Sequence, residues 1–225
     1  LGGLDPAHKK GADKFRSFVS QRAFPCVGAK SALATGRLRL VSCWSILSAW
    51  DDLQMHSELV QWANAYRQSG EGLRSLAFVF EAPDLLTEEA FEAAMWRRIQ
   101  SIADKDDWLG LPYDHRVSSD PTDPHFALSI GGEAYFVVGL HPNASRPARR
   151  APHPALVFNL HDQFVELRRQ GTYDRMRAKI LDRDKALSGD LNPMLAEHGE
   201  VSAARQYSGR VVTDDWQCPY RDRRA

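Results

Sequence analysis

The chain reads as an α+β protein of one domain spanning 1–225, with a mixed, largely antiparallel sheet flanked by helices. Three observations predict this. Helical apolar periodicity alternates with short β-rich runs. One pair of runs is joined by Gly131-Gly132, a tight-hairpin signal that a purely parallel sheet would lack. No linker-like or low-complexity stretch divides the sequence, and the weakest candidate boundary is the polar segment 104–124.

Taken in order, 9–22 is a first helix with Phe15, Phe18 and Val19 on one face. Pro25 breaks regular structure and biases Phe24 to an extended conformation. Small residues over 29–34 start a short helix closed by Gly36, and 37–43 alternates as a strand. Leu53, Val60, Ala63 and Tyr66 stripe a helix over 50–68, with Gly70 as its stop. The run 73–80 is a buried strand. Thr87 followed by Glu88 and Glu89 is an N-cap with acids in the first turn, and Phe91, Met95, Ile99 and Ile102 form that helix's stripe. Strands follow at 125–130, 134–140 and 155–160. Phe164, Leu167, Met176, Ile180 and Leu187 mark one or two helices, and the tail 201–225 has weak periodicity.

Composition narrows the function. The 29 basic and 29 acidic side chains cancel, which argues against a dedicated nucleic-acid binder. The longest apolar runs are too short to span a bilayer, and no charged start leads into an apolar stretch, so neither a membrane association nor a secretory leader is expected. Three cysteines are too few for a disulfide scaffold and suit a reducing, cytoplasmic compartment. No Walker loop, Gly-x-Gly-x-x-Gly, His-Glu-x-x-His, Gly-x-Ser-x-Gly or Cys-x-x-Cys occurs. The chemistry must therefore come from residues distant in sequence or from a cofactor held by few ligands.

Four segments concentrate polar residues and turn formers. In Phe24-Pro25-Cys26-Val27-Gly28, a cysteine just before a helix start is favoured as thiolate by the helix dipole; gap-filling in the core is the competing role. In 139–150, His141 ends an apolar strand, and Arg146, Arg149 and Arg150 suit bidentate binding of carboxylate or phosphate, or else a solvated loop. In 158–164, His161 stands at a strand-to-helix junction as metal ligand, acid/base or cap. The tail carries Asn192-Pro193-Met194-Leu195, Arg205-Gln206-Tyr207-Ser208-Gly209-Arg210 and Trp216-Gln217-Cys218-Pro219-Tyr220. Its Cys-Pro dipeptide is a short heme-thiolate signal, and Trp216 and Tyr220 suit pinning of the tail to the core.

Together these segments resemble the YqcI/YcgG family, which carries Phe-Pro-Cys near its N-terminus and Cys-Pro-Phe near its C-terminus. Here they stand as Phe24-Pro25-Cys26 and Cys218-Pro219-Tyr220, with Tyr220 replacing Phe. Gly139-Leu140-His141-Pro142, Phe158-Asn159 with His161, Asn192 to Leu195 and Gln206 to Arg210 are similar to the family as well, so the resemblance runs from about 24 to 220. It implies a heme b-dependent N-hydroxylase, similar to the enzymes of guanitoxin and D-cycloserine biosynthesis. Such an enzyme acts on an amine or guanidine of an arginine-like small molecule with O₂ or peroxide and a reductase or ferredoxin. On that resemblance the axial-ligand candidates rank Cys26, then His141, then Cys218 and His161. Arg146, Arg149, Arg205 and Arg210 are candidates for propionates or a substrate carboxylate. Glu133, Asp162 or Trp216 would face a cationic substrate. Cys43 matches no motif and is structural. The rival readings are a heme sensor or carrier without turnover, and a heme-free hydrolase or transferase with Cys26 as nucleophile and a histidine as base.

Overall fold

Alternation along the strands divides the molecule into three layers. In the computed structural model, which describes residues 10–69, 72–82, 84–194 and 199–224, five strands form one sheet in the order β1-β2-β5-β4-β3. They are β1 (Leu38–Cys43), β2 (Ser75–Phe80), β3 (Leu128–Ile130), β4 (Glu133–Leu140) and β5 (Ala155–Leu160). β1 and β2 are parallel, and the other pairings are antiparallel. The parallel pair requires a crossover, supplied by helix α3 (Asp52–Ser69). The mixed sheet is therefore as predicted, with one parallel pair at its edge.

Leu76, Phe78, Phe80, Tyr135, Val137, Leu156 and Phe158 point to one face, where they join Met55 and Leu59 of α3 and Phe91, Met95 and Ile99 of α4 (Glu88–Trp108). Their alternates Ala77, Val79, Leu140 and Ala155 point to the other face, against Phe15, Phe18 and Val19 of α1 (Lys10–Ser20) and Ala32 of α2 (Val27–Ala34). Helices α5 (His161–Arg169) and α6 (Tyr173–Ser188) follow β5 as two separate helices, and a single turn, α7 (Ala204–Tyr207), interrupts the tail. Gly70 and Leu195, assigned to a helix stop and a tail motif, lie outside the described residues. No helix among the described residues is long and apolar enough to cross a membrane.

Local chemistry explains the boundaries. Thr87 accepts from the Ala90 N–H and caps α4, with Glu88 and Glu89 in the first turn. Gly131 and Gly132 both take positive φ, as the two-residue turn between β3 and β4 requires. Gly139 serves a different purpose. A Cβ there would meet Phe91 at 2.8 Å, the Tyr207 carbonyl oxygen at 3.0 Å and Met95 at 3.1 Å. A glycine in mid-strand thus lets α4 and the tail close onto β4.

Gly139→Ala is expected to lower unfolding free energy by about 1–3 kcal/mol through overpacking. Urea denaturation read by circular dichroism measures this, and an unchanged midpoint would contradict the packing described.

Candidate functional site: a cavity between the sheet and helices α2, α5 and α6

The β2, β5 and β4 registers align Ser75, Asn159 and Phe136 in one row across the sheet, on the α2 face. Ser75 Oγ donates to Asn159 Oδ1 at 2.6 Å. Phe136 and Val138 extend this floor along β4. Above it lies a cavity of about 260 Å³. Helix α5 contributes His161, Gln163, Phe164 and Arg168, and α6 contributes Tyr173, Met176, Arg177 and Ile180. The α2 end supplies Cys26 and Gly28, and 124–127 and 201–206 close one side. The periodic residues Phe164, Met176 and Ile180 thus line a hollow.

Two devices hold the walls. Gln163 is buried, and its amide grips the start of β2: Oε1 accepts from Arg74 N at 2.8 Å, and Nε2 donates to Arg74 O at 3.1 Å. Cys26 caps α2 in an extended conformation, its Sγ accepting from the Ala29 N–H at 3.4 Å. Burial raises the thiol's pKa, outweighing the Ala29 and Gly28 N–H groups and the Arg149 charge that pull it down. Of the two roles the sequence left open, thiolate and gap-filling thiol, the helix dipole does not decide for the first: desolvation is the larger effect in this setting.

The residues singled out from sequence fall into three environments. Cys26 and His161 share the cavity, with His161 opening α5 directly after β5. His141 lies on the α4 face, where its ring stacks on Phe91 at a centroid distance of 4.4 Å. It is buried, its Nδ1 has no hydrogen-bond partner, and burial lowers its pKa. Cys218 packs into the α4-side core, and burial raises its thiol to about 12. The sheet lies between it and Cys26. Cys43 is buried in that same core layer.

The nominated arginines are occupied elsewhere. Arg146 pairs with Asp184 at 2.7 Å and Asp190 at 2.9 Å. Arg205 donates to the Thr213 carbonyl, and Arg210 Nε to Glu92 at 2.9 Å. Arg149 donates to the carbonyls of Gly139, Tyr207 and Gln206 at 2.8, 3.2 and 3.1 Å. Its burial lowers its pKa to about 10. None of these four lines the cavity; Arg74, Arg168 and Arg177 do. Sequence reasoning missed all three, because none belongs to a recognised motif and arginines are common on the solvated faces of helices. Their only signal was position, beside the β2 start and among the apolar residues of α5 and α6.

The acids nominated for a cationic substrate also lie outside the cavity. Glu133 bonds Arg67 and Arg116, Asp162 bonds Tyr66 and Arg116, and Trp216 packs near Trp96. Among the described residues, no group of three or more His, Cys, Asp or Glu side chains is arranged to hold a bare metal ion.

The geometry defines an α+β protein with an apolar, arginine-edged cavity containing one thiol and one imidazole. The chain belongs to the YqcI/YcgG family, whose pattern it matches over residues 15–221. No curated protein and no solved structure matches it.

Two outcomes follow from these environments. Arg149→Met would remove the hydrogen bonds to three carbonyls, at about 1–3 kcal/mol for each left buried without a partner. A loss of at least about 2 kcal/mol in urea unfolding is expected, and a neutral effect would refute the bridging role. The folded state holds the Cys26 proton more tightly than the unfolded chain. Its contribution to stability is therefore complete below the ordinary thiol pKa of 9.0 and declines as pH rises above it. Native-state alkylation of Cys26, followed by mass spectrometry, should be slow at pH 7 and accelerate above pH 9.0.

Proposed function

We propose that this protein is a heme-dependent oxygenase that hydroxylates a nitrogen, amine or guanidine, of an arginine-like small molecule. One observation carries the reading: a single cavity combines a soft sulfur donor, an imidazole, aromatic and aliphatic walls, and arginines. That donor set fits a heme. Apolar walls suit a flat macrocycle, arginines suit propionates, and thiol or imidazole suits iron.

Heme supplies the activation of O₂ or peroxide that N-hydroxylation needs and that side chains cannot provide. The protein's own part is binding, orientation and proton control. Cys26 is the first-choice ligand. Its sulfur already accepts N–H groups at the α2 start, which would stabilise the thiolate once its proton leaves. His161, on the same cavity, is placed to hold or deliver a proton, and is the alternative ligand. Phe136, Phe164 and Met176 keep water from the reacting nitrogen. Reducing equivalents would come from a reductase or ferredoxin. Three free cysteines suit a reducing cytoplasm.

A second reading has its own support. Because Cys26 and His161 line one cavity, both could ligate the same iron, leaving no open position, as in a heme sensor or carrier.

Hemin titration followed by absorbance tests the reading: a Soret band is expected, and none at saturation would end it. Cys26→Ala should abolish the ferrous–CO signature of thiolate ligation; its persistence would exclude Cys26 as the ligand. Iron binding to Cys26 displaces a proton, so hemin affinity should rise with pH below the thiol pKa. A flat profile above the imidazole range would assign the iron to His161. Hydroxylated product formed with O₂ and reductant, or with peroxide, separates oxygenase from carrier.

A further inference from the structure

The sheet has two edges, and the chain closes one of them. Beside β3, Arg224 of the tail donates to the Ser129 carbonyl at 2.9 Å and Tyr113 to the Ala127 carbonyl at 2.6 Å. At β1 the situation differs. The Arg37 carbonyl accepts from the Ser75 N–H and the Cys43 carbonyl from the Glu81 N–H, so alternate residues from 37 to 43 turn their peptide groups toward β2. Leu38, Leu40 and Ser42 turn theirs outward, and among the described residues nothing pairs with them there. Leu40 and Ser42 are half-buried. Such a row of donors and acceptors is a template for one more strand. Charge often guards an open edge, but Arg39 is held by Glu58 of α3.

The loop leaving β1 is apolar on its outside. It is folded back by the Trp44 N–H donating to Asp51 at 2.6 Å and the Leu47 N–H to Ser45 Oγ at 3.1 Å. Leu47 is 49% exposed, Trp50 85%, and Leu53, in the first turn of α3, 71%. Large apolar side chains beside an open edge mark an interaction surface. Charge order selects the occupant. Arg37 and Arg39 stand at the start of β1, whereas Asp51 and Asp84, the latter accepting from Ser45 Oγ at 2.6 Å, stand at its end. An antiparallel strand with the same order sets each basic start against an acidic end, and a second copy of this chain supplies one.

We propose that β1 pairs antiparallel with β1 of a second copy about a two-fold axis at Leu40, so that one sheet runs through both. Leu40 then faces Leu40, and Leu38 faces Ser42, each pair exchanging N–H···O bonds. Leu47, Trp50 and Leu53 of each copy lie toward the β1 start of the other and shield the short ladder from water. None of these residues lines the cavity, so the dimer stands independently of the heme reading.

Sedimentation equilibrium of the purified full chain, with reductant to keep its three cysteines unlinked, tests this. Twice the 25.3 kDa chain mass is expected at micromolar concentration. Trp50→Asp/Leu53→Asp changes exposed residues only and should weaken association about a hundredfold or more. Ser42→Pro removes an outward N–H and no backbone bond to β2, and should also weaken it. Circular dichroism checks that each variant folds; should Ser42→Pro fail, the double variant decides. A monomer at every concentration, or variants that associate as wild type does, overturns the proposal. Backbone hydrogen exchange locates the contact. The Leu38, Leu40 and Ser42 amides should be protected in the dimer and exchange rapidly in the Trp50→Asp/Leu53→Asp monomer. A dimer whose β1 amides exchange freely, or protection that persists in the monomer, gives the edge to another occupant and overturns the proposal as well.

Discussion

The half-buried guanidinium of Arg149 ties together parts of the chain that are far apart in sequence. It takes up the carbonyl of Gly139 in β4 and those of Gln206 and Tyr207 in the tail, and its charge acts on Cys26. A buried cation is costly unless its donors are satisfied, so the position of the tail is set by the geometry of that fork. Gly139 permits the approach, because a side chain there would collide with the Tyr207 carbonyl. With the tail held, residues 201–206 close one side of the cavity. The same cation lies within electrostatic reach of the sulfur at the α2 end, so one interaction couples the tail, the central strand and the candidate ligand.

The sheet then decides what can act together. Strand residues alternate between faces, so each segment rich in site-like residues delivers its side chains to one side or the other. Leu140 goes to the α1–α2 layer, and His141, one residue on, goes to Phe91 of α4. Asn159 lies on the cavity floor and Phe158 in the opposite core. Cys26, at the α2 start, and Cys218, in the tail, end on opposite faces because their segments pack against different sides of the sheet. Tyr207 stacks on Trp96 and Tyr220 tilts against the same ring, with Cys218 packed into this cluster, and together they anchor the tail.

Local signals made most elements legible in the sequence. Thr87 with its glutamates, the Gly131-Gly132 turn and the stripe of α4 are each decided within a few residues, where capping, φ preference and periodicity act. The cavity was less legible. Apolar periodicity at Phe164, Met176 and Ile180 reads the same whether a helix covers a core or a hollow. Arginine roles were the least legible, because a guanidinium's partner is set by tertiary placement. Arg146 reads as an anion binder until Asp184 and Asp190 are found beside it.

The setting of Cys26 differs from that of a cysteine that only fills space. A cysteine that only fills space needs apolar neighbours and gains nothing from donors. Cys26 has the Ala29 and Gly28 N–H groups at the α2 start and the Arg149 cation, all of which favour the thiolate, set against a burial that favours the thiol. Burial is the largest of these effects, so the balance favours the protonated thiol. The donors would count once a Lewis acid takes the proton's place, because they then stabilise charge on the sulfur without reorganising. Cys218 is raised to about 12 by burial, with the Tyr220 N–H pulling it down and the negative charge of Glu92 pushing it up. The two motif cysteines share burial and a backbone donor; the difference is the charge each faces, the Arg149 cation for Cys26 and the Glu92 anion for Cys218.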